Sequence, residues 1–348
     1  MKPLVFVPGN TALETVQCIL KGRGEKPASS AKACAPVNIA LVKYWGKRDE
    51  ALHLPVTDSL SVSLSGLDTE TEIHAGEKPD RLELDGRAIT PEAPALSRLS
   101  AFLDLFRLSP AMGFSVRSHN AVPTAAGFAS SASGFAALVR ALDSLFSWHL
   151  ERRELSLLAR LGSGSACRSM YDGFVEWRAG SREDGLDSYA IPLPEVWPDL
   201  RIGLWTVSAE EKPLSSREAM HRTTQTSPLY SAWPQTVAAD LLSLREALRA
   251  RDIERFGQVL EGNALAMHAT MLAARPSIFY PTADSLQAQA RVRSARAAGT
   301  GVWFTMDAGP NLKLFFLERE RPSVEAQFTG LRVVPTGASV AEERRSAR

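Results

Sequence analysis

No apolar run in the 348-residue chain approaches the roughly 20 consecutive residues that a membrane span requires. Cysteine is scarce too: Cys18, Cys34 and Cys167 form neither an even-numbered disulfide framework nor a metal-ligand spacing. Net charge is nearly absent. The 40 Lys and Arg face 39 Asp and Glu, which excludes the global basic footprint of a nucleic-acid binder. The opening "MKPLVFVPGN" is broken by prolines and is too short for a signal-peptide core. These absences predict a cytoplasmic chain with no nucleic-acid or membrane partner, holding any anionic ligand by a local site.

What is present is a globular composition, 45% apolar and 23% charged, with length enough for two lobes. Residues 1–33 read as an extension: "TALETVQCIL" suits a helix, and "KGRGEKPASSAKA" is linker-like. From Cys34 the texture changes. "PVNIALVKYW" and "SLSVSLSGL" read as strands separated by a polar loop from Gly46 to Asp58. "TETEIHAG" and "RLELDGRAI" alternate like a hairpin, "ALSRLSAFLDLFRL" has helical periodicity and "GFSVRSH" is a strand. Helices are expected over "GFAALVRALDSLFSW" and from Glu151 to Arg160, then at about 215–225, 232–250, 252–272 and 283–298. "RIGLWTVSA", "GVWFTMDAG" and "NLKLFFLE" supply strands, and a polar tail follows from Pro335. Strands and helices mixed in both halves predict an α+β protein, with lobes at 34–197 and 198–334 and a tail at 335–348.

Three short stretches carry chemistry. "PTAAGFASSASG" puts very little bulk where a helix begins. Either the helix packs closely on a neighbour, or its unsatisfied N–H groups are left open to an anion. It is neither a Walker A loop nor a dinucleotide fingerprint. "GSGSACRS" places Ser163, Ser165 and Arg168 in one turn, and an arginine fork suits a carboxylate or phosphate. The bland alternative pairs Arg168 with a surface acid. "TMDAGPN" aims Asp307 out of a tight turn after an apolar strand, with an Asx turn as the bland alternative. Cys167 reads as a small buried residue, and His268 as a residue that orders a helix rather than a catalytic base.

Together, "APVNIALVKYWGKRDEALHLPVTDSLSVSLS", "PTAAGFASSASGFAALVRAL", "GSGSACRSMYDGFVEW", "HATMLAARPSIFY" and "FTMDAGPN" resemble the signature segments of the diphosphomevalonate decarboxylases, in the superfamily of the GHMP kinases. The resemblance covers roughly residues 34–318. It implies two α+β lobes flanking a deep cleft, and ATP-dependent decarboxylation of mevalonate 5-diphosphate through 3-phosphorylation, a step of isoprenoid biosynthesis. ATP and Mg2+ are the implied cofactors and a homodimer the implied assembly; no side chain is assigned to the metal.

By resemblance, Arg168 grips the substrate carboxylate, and Asp307 faces the 3-hydroxyl as general base or as electrostatic support. Lys43 stands near the reacting centre. Tyr44, Lys47, Ser163, Ser165, Ser215, Ser216 and Met220 fall among substrate-binding positions, the last three in a loop over the diphosphate. Pro123, Ala126, Gly127, Ala129, Ser130 and Ser131 fall in the phosphate loop for ATP, which favours the anion over mere packing. The alternatives are a same-fold phosphomevalonate decarboxylase or mevalonate 3-kinase and, more remotely, another small-molecule kinase of the superfamily or an inactive homologue.

Overall fold

Strand β1 (Ser30–Val42) changes character half-way: its first residues alternate in exposure, and from Ala35 onward every residue is buried. That second half is rich in β-branched and aliphatic residues, which suits a strand covered on both faces. The computed structural model describes residues 11–24, 26–121, 130–208 and 214–336, with Ser65 and Ser130 described by backbone alone.

A helix, α1 (Ala12–Leu20), precedes β1, capped by a reciprocal Thr11–Glu14 box. Two short strands, β2 (Lys47–Asp49) and β3 (Leu54–Pro55), pair with each other before β4 (Ser59–Glu77), β5 (Arg81–Leu84) and β6 (Arg87–Ala88). Then come α2 (Pro94–Leu103), β7 (Met112–Asn120), α3 (Ser130–Phe146) and α4 (Arg152–Gly162). A 3-10 helix (Gly164–Met170) leads into β8 (Phe174–Trp177) and β9 (Ala190–Pro192). The remainder is β10 (Leu200–Trp205), α5 (Ser216–Thr226), α6 (Trp233–Ala250), α7 (Ile253–Leu272), α8 (Ala283–Ala297), β11 (Val302–Met306), β12 (Leu312–Leu317), α9 (Arg321–Gln327) and β13 (Arg332–Pro335).

The larger sheet has the order β6-β5-β7-β4-β8-β9, with β1 along the other edge of β4. One of its core faces gathers Val16 and Ile19 of α1, Leu99 and Phe102 of α2, Leu138 and Leu142 of α3 and Leu155 of α4. Its other core joins Val37, Ile39 and Leu41 of β1 to Val237 of α6 and to Phe256, Leu260 and Met267 of α7. The smaller sheet, β11-β12-β10-β13, packs Phe304, Leu314 and Phe316 against Val292 of α8 and Val324 and Phe328 of α9. An apolar core therefore runs across both halves of the chain and fixes their relative placement.

The expected helices stand, but several strand readings need correction. The stretch read as linker already holds strand: Ser30–Ala33 pair with His74–Thr71 of β4. The preceding segment is tied down as well, Arg23 to Glu154 at 2.9 Å and the Trp148 Nε1–H to the Gly24 carbonyl at 2.9 Å. The expected hairpin of "TETEIHAG" with "RLELDGRAI" does not form. Both edges of β4 are taken, by β1 and by β7 and β8, so β5 adds in parallel beyond β7 and makes its tight hairpin with β6. The polar loop 46–58 contains β2 and β3, because Leu52 and Leu54 drive its turn into the core. The tail starts later than Pro335: β13 ends there, Thr336 is buried, and residues 337–348 lie outside the description.

Candidate active site

The turn after β11 carries Asp307 to a cavity of about 470 Å³, a volume ordinary for a small-molecule site. Its carboxylate does not form an Asx turn. The Gly309 N–H closes the turn on the Asp307 backbone carbonyl at 2.7 Å, leaving both side-chain oxygens for lysines. Lys43 Nζ donates to Oδ1 at 2.9 Å and Lys313 Nζ to Oδ2 at 2.8 Å. Both lysines are almost wholly buried, while 28% of the Asp307 side chain stays open to the cavity. Burial pushes the Asp307 pKa up, but the charges of Lys313 and Lys43 outweigh it and hold the carboxyl well below the usual carboxylate range. Burial is also the main cause lowering Lys43 to about 8, with Asp307 opposing and Lys313 reinforcing the shift.

Lys43 follows directly on β1, whose register shifts between Ala40 and Val42. Its Nζ also donates to the Ala40 carbonyl at 2.8 Å, and its backbone N–H to Asn263 Oδ1 of α7 at 2.8 Å. Asn263 is oriented in turn by Asp240 at 2.8 Å. Three residues on, Gly46 takes φ +111, and a Cβ there would lie 1.7 Å from the Tyr230 hydroxyl, which donates to the Trp45 carbonyl. Glycine is required twice over, by conformation and by space. Residues 43–47 are thus held from the C-terminal half.

Arg168 lies in the 3-10 helix, 2% exposed. Its Nη1 donates to Ser59 Oγ at 2.6 Å and its Nη2 to Asn38 Oδ1 at 3.4 Å, while Nε has no partner. Among the described residues no acid is within ion-pair distance, so the surface-acid alternative fails. A buried cation without a counter-charge is costly, and a ligand anion supplies one. The Trp177 ring lies 5.9 Å from the guanidinium and edges onto Tyr44, whose buried hydroxyl also lacks a partner. Gly164 makes this possible, since a Cβ would meet the Trp177 ring and the Tyr44 hydroxyl, each at 2.9 Å.

The same cavity is lined by Asn38, Lys47, His53, Arg98, Ser131, Ser163, Ser165, Ser215, Ser216, Arg217 and Met220. Asp307 is its one lining acid among the described residues, against Lys43, Lys47, Arg98, Arg168 and Arg217. Lys47 pairs with Glu50. This surplus of positive charge suits a polyanion.

Residues 35–190 match the family model for the diphosphomevalonate decarboxylase-like N-terminal domain, and residues 203–343 that for the mevalonate 5-diphosphate decarboxylase C-terminal domain. The chain belongs to the diphosphomevalonate decarboxylase family. It is 40% identical over 316 residues to the human diphosphomevalonate decarboxylase, covering 84% of this chain and 78% of that one. With the Aspergillus fumigatus protein it shares 38% identity over 312 residues, 83% of this chain and 77% of the other. Among solved structures, mevalonate diphosphate decarboxylase from Staphylococcus aureus superposes with TM-score 0.82 at 37% identity, covering 89% of this chain and 97% of that chain. A structure described as MDDEF in complex with MVAPP, AMPPCP and magnesium gives TM-score 0.84 at 39% identity, covering 88% of this chain and 97% of the other.

Within this decarboxylase-family cavity the fold brings together Lys43, Tyr44, Lys47, Ser131, Ser163, Ser165, Arg168, Ser215, Ser216, Met220 and Asp307. Pro123, Ala126, Gly127 and Ala129 lie outside the described residues, as does the side chain of Ser130, whose backbone opens α3. Close packing does explain part of the small-residue stretch: Ala132 and Ser133 are wholly buried. The stretch that by resemblance forms a loop over the diphosphate contains, from Ser216 on, the helix expected at about 215–225. Ser215 is its N-cap, exchanging hydrogen bonds with Glu218. His268 is buried, and its Nε2–H donates to the Asp307 carbonyl at 3.1 Å. Burial lowers its pKa to about 4, so the neutral ring fixes the Asp307 backbone and does not reach its carboxylate.

Lys313, His53 and Arg98 are the site features that sequence reasoning did not pick out. Lys313 had a signal, a lysine between Leu312 and Leu314 in an otherwise apolar strand, which needs a buried acid to be tolerated. His53 and Arg98 had none.

Proposed function

We propose that this chain catalyses the ATP-dependent decarboxylation of mevalonate 5-diphosphate to isopentenyl diphosphate, with ADP, phosphate and CO2 as co-products. The observation that carries the reading is an ionised Asp307 clamped by two buried lysines in one cavity with an Arg168 that has no acid partner. Both family domains and a relative bound to MVAPP, AMPPCP and magnesium support it.

Arg168 holds the substrate carboxylate, completing the guanidinium's coordination and fixing the C–C bond for in-line loss. Asp307 faces the tertiary carbon. Both its oxygens already accept from lysine ammoniums, whose charges oppose proton uptake, so its part is electrostatic: it stabilises the positive charge that develops at C3 as the 3-phosphate departs. The electron pair of the breaking C–C bond then becomes the new double bond, and the carboxylate leaves as CO2. Lys43 and Lys313 hold the carboxylate in place, and Lys43 also meets the phosphoryl group. Lys47, Tyr44, Ser163, Ser165, Ser215, Ser216 and Met220 line the substrate end, with Arg217 added to them.

ATP supplies the phosphoryl group that turns the 3-hydroxyl into a leaving group, the hydroxyl proton passing to an oxygen of the transferred phosphate as ADP departs. The start of α3 with Ser130 and Ser131 receives the nucleotide's phosphates. The described residues offer no cluster of three or more His, Cys, Asp or Glu for a metal. Both Asp307 oxygens are occupied by lysines, so the donor set suits Mg2+ carried on nucleotide phosphates rather than caged by protein.

On this reading the ATP-binding lobe runs from α1 and β1 to residue 197, and the second lobe from residue 198 to Thr336. Among the described residues no helix is long and apolar enough to cross a membrane, and the three cysteines are free, which supports a cytoplasmic location. A homodimer follows from the resemblance and is checked by light scattering.

The test is an assay with ATP and Mg2+ that follows ADP and CO2 in parallel on mevalonate, its 5-phosphate and its 5-diphosphate. Equal ADP and CO2 from the diphosphate alone supports the proposal. ADP without CO2 makes the chain a kinase, and turnover of the monophosphate moves the substrate assignment.

A further inference from the structure

His53 is a buried titratable side chain in the cavity wall that the chemistry above leaves unused. It sits in the turn between β2 and β3 with φ 52, a left-handed conformation uncommon for a residue other than glycine. The surroundings over-determine that conformation. Leu52 and Leu54 are buried on either side, and the Leu52 N–H donates to Asp49 Oδ1 at 2.7 Å. Arg160 grips the turn twice, its Nε donating to the Leu52 carbonyl at 3.0 Å and its own carbonyl accepting from His53 at 3.0 Å.

This last contact settles the tautomer. A carbonyl can only accept, so Nδ1 carries the hydrogen and Nε2 presents a lone pair to the cavity. Burial, reinforced by the charge of Lys47, lowers the ring's pKa to about 4 and keeps it neutral. The lone pair meets Arg217 Nη2 at 3.4 Å. Arg217 belongs to α5, has no acid partner among the described residues and lines the cavity beside Lys47, Ser215 and Ser216. A neutral acceptor takes one of the five guanidinium donors and leaves the positive charge whole for an anion.

We propose that His53 is a positioning residue that aims Arg217 at the diphosphate of the bound substrate. A carboxylate there would compete for the guanidinium, and an aliphatic side chain would let it swing. The role rests on the substrate reading above, and it also predicts affinity for bare inorganic diphosphate.

The experiment compares His53→Asn, His53→Gln, Arg217→Ala and the Arg217→Ala/His53→Asn pair in the full chain. Asn keeps the left-handed turn but its amide is too short to reach Arg217; the oxygen of Gln can. His53→Asn is expected to raise KM for mevalonate 5-diphosphate about tenfold, with kcat and the KM for ATP changed less than about twofold. Calorimetry should show the same loss in affinity for inorganic diphosphate. His53→Gln should recover most of it, and His53→Asn should add less than about twofold to Arg217→Ala. Additive effects of the two substitutions, or equal losses in both KM values, would overturn the proposal. If the wild type releases no CO2 from the substrate, the function is wrong, and the calorimetric arm still decides the role of His53.

Discussion

At Asp307 the carboxylate is fully paired, each oxygen bonded by the ammonium of an almost wholly buried lysine. At Arg168 the opposite holds: the guanidinium has hydroxyl and amide neighbours and one N–H with nothing to donate to. The contrast separates two tasks. A paired centre is complete before substrate arrives and offers fixed electrostatics to a transition state. An unpaired cation is incomplete and gains its counter-ion from the ligand, so its contribution is to binding geometry.

The largest test of this division is Asp307→Asn. We expect kcat to fall by about 10³-fold with substrate affinity retained, measured as CO2 release beside equilibrium binding. Near-normal CO2 release by a folded, substrate-binding variant would remove Asp307 from the chemistry. Because Asn leaves two buried lysines unneutralised, the melting temperature must be followed in parallel.

Arg168→Ala comes next. Decarboxylation should drop about 10²-fold while affinity for ATP changes by less than about threefold. Equal losses would mean that Arg168 does not hold the carboxylate.

The third test is pH. Lys43, lowered to about 8, loses its proton as pH rises, and Asp307 then keeps one of its two cations. The kcat/KM profile should therefore decline on the alkaline side with a midpoint near 8. Bound anions favour the charged amine, so the matching limb of kcat should lie higher. Lys43→Met should abolish the limb at lower activity; an unchanged limb would assign it to another group.

The smallest effect is expected at Ser215. As the cap of α5 it should cost about 1 kcal/mol of stability when changed to Ala, read from denaturant unfolding, with a KM change of only a few-fold. A KM change far larger than the stability loss would move Ser215 from scaffold to ligand contact.

Much of this could be read from the chain alone where the signal is local. Helical periodicity gave α6, α7 and α8 nearly to their ends, and the clustering of small residues with Arg168 marked the right turn. Non-local pairing was invisible: nothing in "RLELDGRAI" says that β4 already has both edges occupied. Lys313 was missed despite a local signal, since its partner Asp307 stands only six residues earlier, across the β11–β12 turn. His53 could not be read at all, since its meaning lies in Arg160 and Arg217, which meet it only in the folded chain.

The fit of Gly46 against the Tyr230 hydroxyl has an evolutionary corollary. The two positions lie in different halves of the chain, and the constraint runs one way: Tyr230 can shrink alone, but a side chain at 46 needs both a smaller residue at 230 and a backbone that tolerates φ +111. Across related sequences a tyrosine at 230 should therefore be accompanied by glycine at 46, and a chimaera that brings any other residue at 46 against Tyr230 should fail at this contact.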